Sequence, residues 1–230
     1  MTSNGKKIQD YFAKGVRFKR ITDDEFDQLI HEALQKVYPT ALERLSLDEK
    51  DTIKKSVWIS GPPDLDKLDG TELKIKKGKD KIIRFIPIGV TIYNFSPHAI
   101  LAYQCSLDPV YENAMNECTH EFFYNDIVSF QTLTESGSAT KLNWGEKVVN
   151  KIPLIGSFFS LGKKIQFDKK LQFILTTSGS SQLIVALADN VLKQEVDGGK
   201  FSLEKAKRSV DMVRRTIRDK KSHTFASLMK

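Results

Sequence analysis

Cys118 and His120 stand two residues apart. On a β-strand that spacing points a thiol and an imidazole to the same side, the first two parts of a nucleophile–base pair or of a metal site. A base also needs a group to orient it, and zinc needs three or four ligands, yet neither lies nearby in the sequence. The remaining histidines are scattered: His31 sits in a segment of helical periodicity, His98 follows Ser96-Pro97, and His223 trails a basic helix-like stretch. Cys105 and Cys118 are the only cysteines, too few for a disulfide framework, and they read as small, buried or half-buried apolar residues. Ser178-Gly179-Ser180-Ser181 separates two strand-like segments, whereas loops that cradle phosphate lead into helices. The expectation is no catalytic residue, no metal and no cofactor.

Two clusters point instead to binding. Lys74, Lys76, Lys77, Lys79, Lys81 and Arg84 surround Gly78 on what reads as a strand-to-strand connection, a candidate anion-binding site. The same lysines would also keep an exposed strand edge from pairing with another chain. The second cluster is Lys151-Ile152-Pro153-Leu154-Ile155-Gly156-Ser157-Phe158-Phe159-Ser160-Leu161-Gly162-Lys163-Lys164. Leu154, Ile155, Phe158 and Phe159 beside Lys163 and Lys164 would form a membrane wedge or partner contact if exposed. Folded back, they would bury against the rest of the chain. A formal charge of +7 over 230 residues favours acidic partners of either kind.

Composition allows a compact core: 40% of residues are hydrophobic and 28% charged, which excludes a wholly disordered or collagen-like chain. No apolar run reaches the roughly 18 residues that cross a bilayer, and the lysine- and arginine-bearing N-terminus lacks the apolar core of a signal peptide. A cytoplasmic protein, peripheral at the membrane, is the expectation.

Residues 1–20 read as a flexible basic arm and 21–61 as helical. Thr22 followed by Asp23, Asp24 and Glu25 is a capping box that starts a helix, and Phe26, Leu29, Ile30, Ala33, Leu34 and Val37 give it an apolar face until Pro39. A second helix is predicted from Thr40 to Leu45 and a third over about 47–57. Residues 62–70 read as a linker. Thereafter the period becomes two, with strands at 73–75, 83–85, 88–95, 99–106, about 120–134, 164–167, 171–177 and 182–187. A long apolar insertion is expected over about 135–162. Ser202 then caps a helix carrying Leu203, Ala206, Val210, Val213 and Ile217 on one face, with 222–230 as a tail.

The "FFYNDIVSFQT" strand, the "LQFILTTSGSSQLIVAL" hairpin and the closing amphipathic helix together resemble the bacterial pleckstrin-homology-like (PH-like) domains over about 70–220. Tyr124, Asp126, Ile127, Ser129, Thr176 and Gly179 stand at the positions that carry the resemblance. It implies an antiparallel PH-like β-barrel over 71–221 closed by a C-terminal amphipathic helix; with the short N-terminal helices read above, which depart from that family's minimal domain, the expected class is α+β. It also implies a membrane-surface or protein-interaction role, with no binding residue that transfers by pattern.

The expected function is a non-catalytic binding module that recruits or scaffolds at an anionic lipid surface or a membrane-associated protein. The alternative is a soluble protein–protein interaction or homo-oligomerisation domain whose apolar loop is the contact. Nucleic acid is disfavoured, because the basic helix spends one face on packing and offers no aromatic stacking set.

Overall fold

A computed structural model describes residues 1–13, 21–48, 50, 55–68, 71–138, 166–189 and 199–228. The first departure from expectation is at the N-terminus, where Ser3–Phe12 form helix α1 with the Thr2 hydroxyl accepting the Gly5 N–H. Ile8, Tyr11 and Phe12 fall at three-and-four spacing and make an apolar stripe. Tyr11 stacks on Phe26 with ring centroids 4.3 Å apart, so residues 3–12 are docked rather than a free arm.

Asp23–Arg44 form α2, capped as its sequence predicts: Glu25 donates its N–H to the Thr22 hydroxyl and the Glu25 carboxylate accepts from the Thr22 N–H. The helix does not stop at Pro39. Proline removes one backbone donor and crowds the preceding turn. Val37 and Ala41, on either side of it, both bury against the same sheet face and hold the helix on course. The end of the predicted third helix is also overturned, since Val57–Gly61 form strand β1, whose Val57 and Ile59 point into the core. The expected linker at 62–70 contains a short 3₁₀ turn, Leu65–Lys67, and Leu65 and Leu68 bury against Leu73, Ile75 and Phe201.

The remaining strands are β2 (Lys74–Lys77), β3 (Ile83–Ile86), β4 (Ile88–Phe95), β5 (Ala99–Asp108), β6 (Asn113–Phe123), β7 (Ile127–Ser138), β8 (Gln166–Thr177) and β9 (Gln182–Asp189), followed by α3 (Leu203–Leu228). They form antiparallel sheets ordered β1-β4-β5-β6 and β7-β8-β9, plus the separate hairpin β2-β3. The strand predicted over 120–134 is two strands. A 3₁₀ turn at Tyr124–Asp126 breaks it, and there the chain passes from one sheet to the other. Tyr124 turns inward, takes the His98 carbonyl with its N–H and the Ser96 carbonyl with its hydroxyl, and burial pushes that hydroxyl up to about 12. Residues 166–167 and 171–177, predicted as parts of two separate strands, lie on one strand, β8, which from Gln166 pairs with β7 as far as Ser138.

The four-stranded sheet is covered on both sides. Ile88, Val90, Ile92, Tyr103, Cys105 and Leu107 face Ala33, Val37 and Ala41 of α2. Val57, Ile59, Tyr93, Phe95, Ile100 and Ala102 face Phe173, Leu175, Leu183 and Val185 of the second sheet and Ala206, Val210, Val213 and Ile217 of α3. Burial on both faces is why β4 and β5 read as near-continuous apolar runs rather than alternating ones. The α+β class and the C-terminal helix stand; the barrel does not close among the described residues. β1 and β9 approach edge to edge without a ladder, so tightly that a Cβ on Gly61 would collide with the Ala186 carbonyl oxygen.

Candidate anion-binding hairpin

The β2–β3 hairpin turns through Gly78-Lys79-Asp80-Lys81. Gly78 donates to the Ile82 carbonyl, Lys81 to the Gly78 carbonyl, and Ile82 to the Asp80 carboxylate. Lys81 adopts φ 66°, in the left-handed region. Just behind the turn lies Arg84, whose side chain is only 4% exposed. A buried guanidinium is stable only when its donors are met, and here two forks meet them. Nε and Nη2 reach Asp27 at 2.8 and 2.7 Å, while Nη1 and Nη2 both reach Asp80 at 2.9 Å. Asp23 stands 3.9 Å away and accepts from the Tyr11 hydroxyl and the Lys79 N–H, each at 2.7 Å.

The electrostatics follow from this knot. Hydrogen bonds from Arg84 hold the Asp80 carboxyl down to about 2. Burial alone would raise Asp23, but the Tyr11 hydroxyl, the Lys79 N–H and Arg84 outweigh it and keep its carboxyl below the usual range. Burial works against the charge on Arg84, and Asp27 and Asp80 reverse that, so the guanidinium is held more firmly protonated than usual. The knot ties α1, α2 and the hairpin together.

The six basic residues singled out in the sequence therefore divide. Arg84 is committed to aspartates rather than presented to an outside anion. Lys76 also turns inward: Nζ donates to the Tyr11 carbonyl at 2.7 Å and lies 3.7 Å over the Tyr11 ring, a cation at the C-terminal end of α1. Lys74 pairs with Glu72 at 3.4 Å. Lys77, Lys79 and Lys81 lie at or beside the tip with exposed side chains.

A fourth exposed lysine joins them. Lys200 donates its N–H to the Lys81 carbonyl and accepts the Ile83 N–H, both at 2.9 Å, placing the entry to α3 against the hairpin. Sequence reasoning missed Lys200, because only a contact between residues more than a hundred positions apart puts it there. It also missed the aspartates of the knot; Asp23 was legible only as a helix-start residue. The second predicted cluster, Leu154, Ile155, Phe158, Phe159, Lys163 and Lys164, lies outside the described residues.

Cys118 and His120 do meet, with Sγ 3.2 Å from Nε2 and the Gln104 side-chain oxygen 3.8 Å from the sulfur. Burial raises the Cys118 thiol and lowers the His120 imidazole, the latter helped by Lys67. Both shifts favour a neutral pair over thiolate and imidazolium, which is the wrong direction for an activated nucleophile. Burial likewise pushes the Cys105 thiol up to about 11. Among the described residues no three His, Cys, Asp or Glu side chains are grouped to hold a metal, and no helix is long and apolar enough to cross a membrane. Comparison with protein-family models, curated proteins and solved structures finds no match to this chain.

Proposed function

We propose that this protein is a non-catalytic binding module of PH-like architecture that docks on an anionic membrane surface and recruits or scaffolds there. The carrying observation is the hairpin rim, where Lys77, Lys79, Lys81 and Lys200 are exposed while the neighbouring carboxylates are tied to Arg84. The architectural part rests on strand order. From β4 to β9 an antiparallel meander is followed by a helix, the order of strands and closing helix that the resemblance implies.

Four lysines at about 1 kcal/mol each near an anionic leaflet give about 4 kcal/mol, a millimolar-range attraction. Stable docking needs a second anchor. Leu154, Ile155, Phe158 and Phe159, with Lys163 and Lys164, supply one in this proposal by inserting at the head-group boundary.

Co-sedimentation with phosphatidylcholine vesicles, with and without phosphatidylserine, at low and moderate salt tests the reading. Binding that requires phosphatidylserine and weakens when Lys77, Lys79 and Lys81 become Glu is expected. Binding that survives moderate salt but is lost in Phe158→Asp/Phe159→Asp assigns the apolar anchor. No binding to either vesicle under any condition overturns the proposal in favour of a soluble protein partner.

A further inference from the structure

Helix α3 carries a second basic feature, away from the hairpin rim. Ala206, Val210, Val213 and Ile217 bury one face, and the stripe beside it, at alternating spacings of four and three, is Lys207, Asp211, Arg214, Arg218 and Lys221. Three of these side chains reach β7 in sequence, with the helix running opposite to the strand. Lys221 Nζ donates to the Ile127 carbonyl at 2.6 Å. The Arg218 guanidinium lies 5.3 Å from the Phe130 ring, and Arg214 Nη2 donates to the Thr132 hydroxyl at 2.6 Å. Arg214 also sits over the Phe130 and Phe173 rings.

The aromatic faces hold the two guanidiniums in place and leave their donor edges largely unspent. Asp211 approaches Arg214 only to 4.0 Å, and the buried Nε–H of Arg214 has no hydrogen-bond partner among the described residues. Beside them, β7 pairs with β8 alone among the described strands, so alternate backbone N–H and C=O groups point away from the sheet. Ser129, Gln131, Thr132 and Leu133 along it are exposed.

We infer that this edge takes an acidic peptide in extended conformation. The peptide adds as a strand to β7, and its carboxylates meet Arg214 and Arg218. Strand addition uses the row of unmade main-chain hydrogen bonds, and guanidiniums prefer carboxylates for their two-point geometry. A lipid head group would use the arginines and leave the strand edge empty, which is why the peptide is favoured. The site does not involve the lysine rim.

The probe is a fluorescein-labelled decapeptide alternating glutamate and valine, with a lysine–valine peptide as control, read by anisotropy and by hydrogen exchange. Saturable binding of the acidic peptide alone is expected, with slowed exchange at residues 129–134. Arg214→Gln/Arg218→Gln should weaken it about tenfold or more, whereas Lys77→Glu/Lys79→Glu/Lys81→Glu should leave it intact. If the arginine variant fails to fold, Thr132→Glu, at an exposed position, supplies an internal carboxylate to the same arginines and should compete with the peptide. Absence of acidic-peptide binding, binding without protection of β7, or binding unaffected by Thr132→Glu would each overturn the inference. So would a loss of anionic-vesicle affinity on Arg214→Gln/Arg218→Gln in a protein that binds no peptide, which would reassign the arginines to lipid.

Discussion

The Ile83 N–H donates to the Lys200 carbonyl at 2.9 Å, and beside it Lys200 returns its own N–H to Lys81. This two-bond clamp makes one rim out of a hairpin and a residue more than a hundred positions further along the chain. Lys200→Glu is therefore expected to lower affinity for phosphatidylserine vesicles about as much as Lys79→Glu does, measured by co-sedimentation at low salt. A Lys200→Glu protein that binds as the parent does would dissolve the shared rim.

Arg84 is the keystone of the contact between the helices and the hairpin. Arg84→Ala would leave Asp23, Asp27 and Asp80 facing one another. Breaking a buried ion cluster from one side costs about 3 kcal/mol or more, here toward the lower end because Asp27 and Asp80 stay partly in water. Urea unfolding should show the loss. Arg84→Lys should recover only part of it, since one ammonium cannot fork to two carboxylates.

Acid should act on the same cluster, and the direction follows from its carboxyls. Asp80 and Asp23 are depressed in the folded state, so their contribution is complete above the unfolded value near 3.8. It is lost as pH falls toward the folded value of about 2 for Asp80. Thermal melts should be flat in this respect from neutral pH to about 4 and fall below it. Asp80→Asn should flatten that fall without abolishing it, because hydrogen bonds from Arg44 depress Glu117 as well. A melting temperature falling equally steeply in Asp80→Asn would remove Asp80 from the account.

Two glycines offer a matched test of the seam between the sheets. A methyl group at Gly61 would strike the Ala186 carbonyl, whereas one at Gly179 would meet nothing within 4 Å. Gly61→Ala should cost about 2 kcal/mol by forcing β1 and β9 apart, and Gly179→Ala should change the melting temperature little. Equal effects would mean that the close approach of β1 and β9 does not constrain the fold.

Local chemistry was legible wherever one segment sufficed. Thr22 and Glu25 cap α2 as their types dictate, the turn at Ser178–Ser181 lies between its strands, and the apolar stripe of α3 from Ala206 to Ile217 is buried as its spacing predicts. The cap and the turn rest on contacts within a few residues; the stripe was legible from its spacing alone, although what buries it, Val57, Phe173 and Leu183 among others, is distant in sequence. Tyr11 shows the limit: in a stretch rich in lysine it reads as an unanchored arm, and only the stacked ring of Phe26 and the carboxylate of Asp23 make it a core residue.

What the chain by itself determined is an α+β protein with a lysine-rich hairpin and a basic amphipathic C-terminal helix. Those features follow from periodicity, capping and turn residues acting over short range. Tertiary structure decided where each charge is placed. It turned Arg84 and Lys76 inward, brought Lys200 to the hairpin, and laid Arg214 and Arg218 along β7. A cation's role depends on whether a carboxylate, a carbonyl or water meets it, and that depends on neighbours distant in sequence.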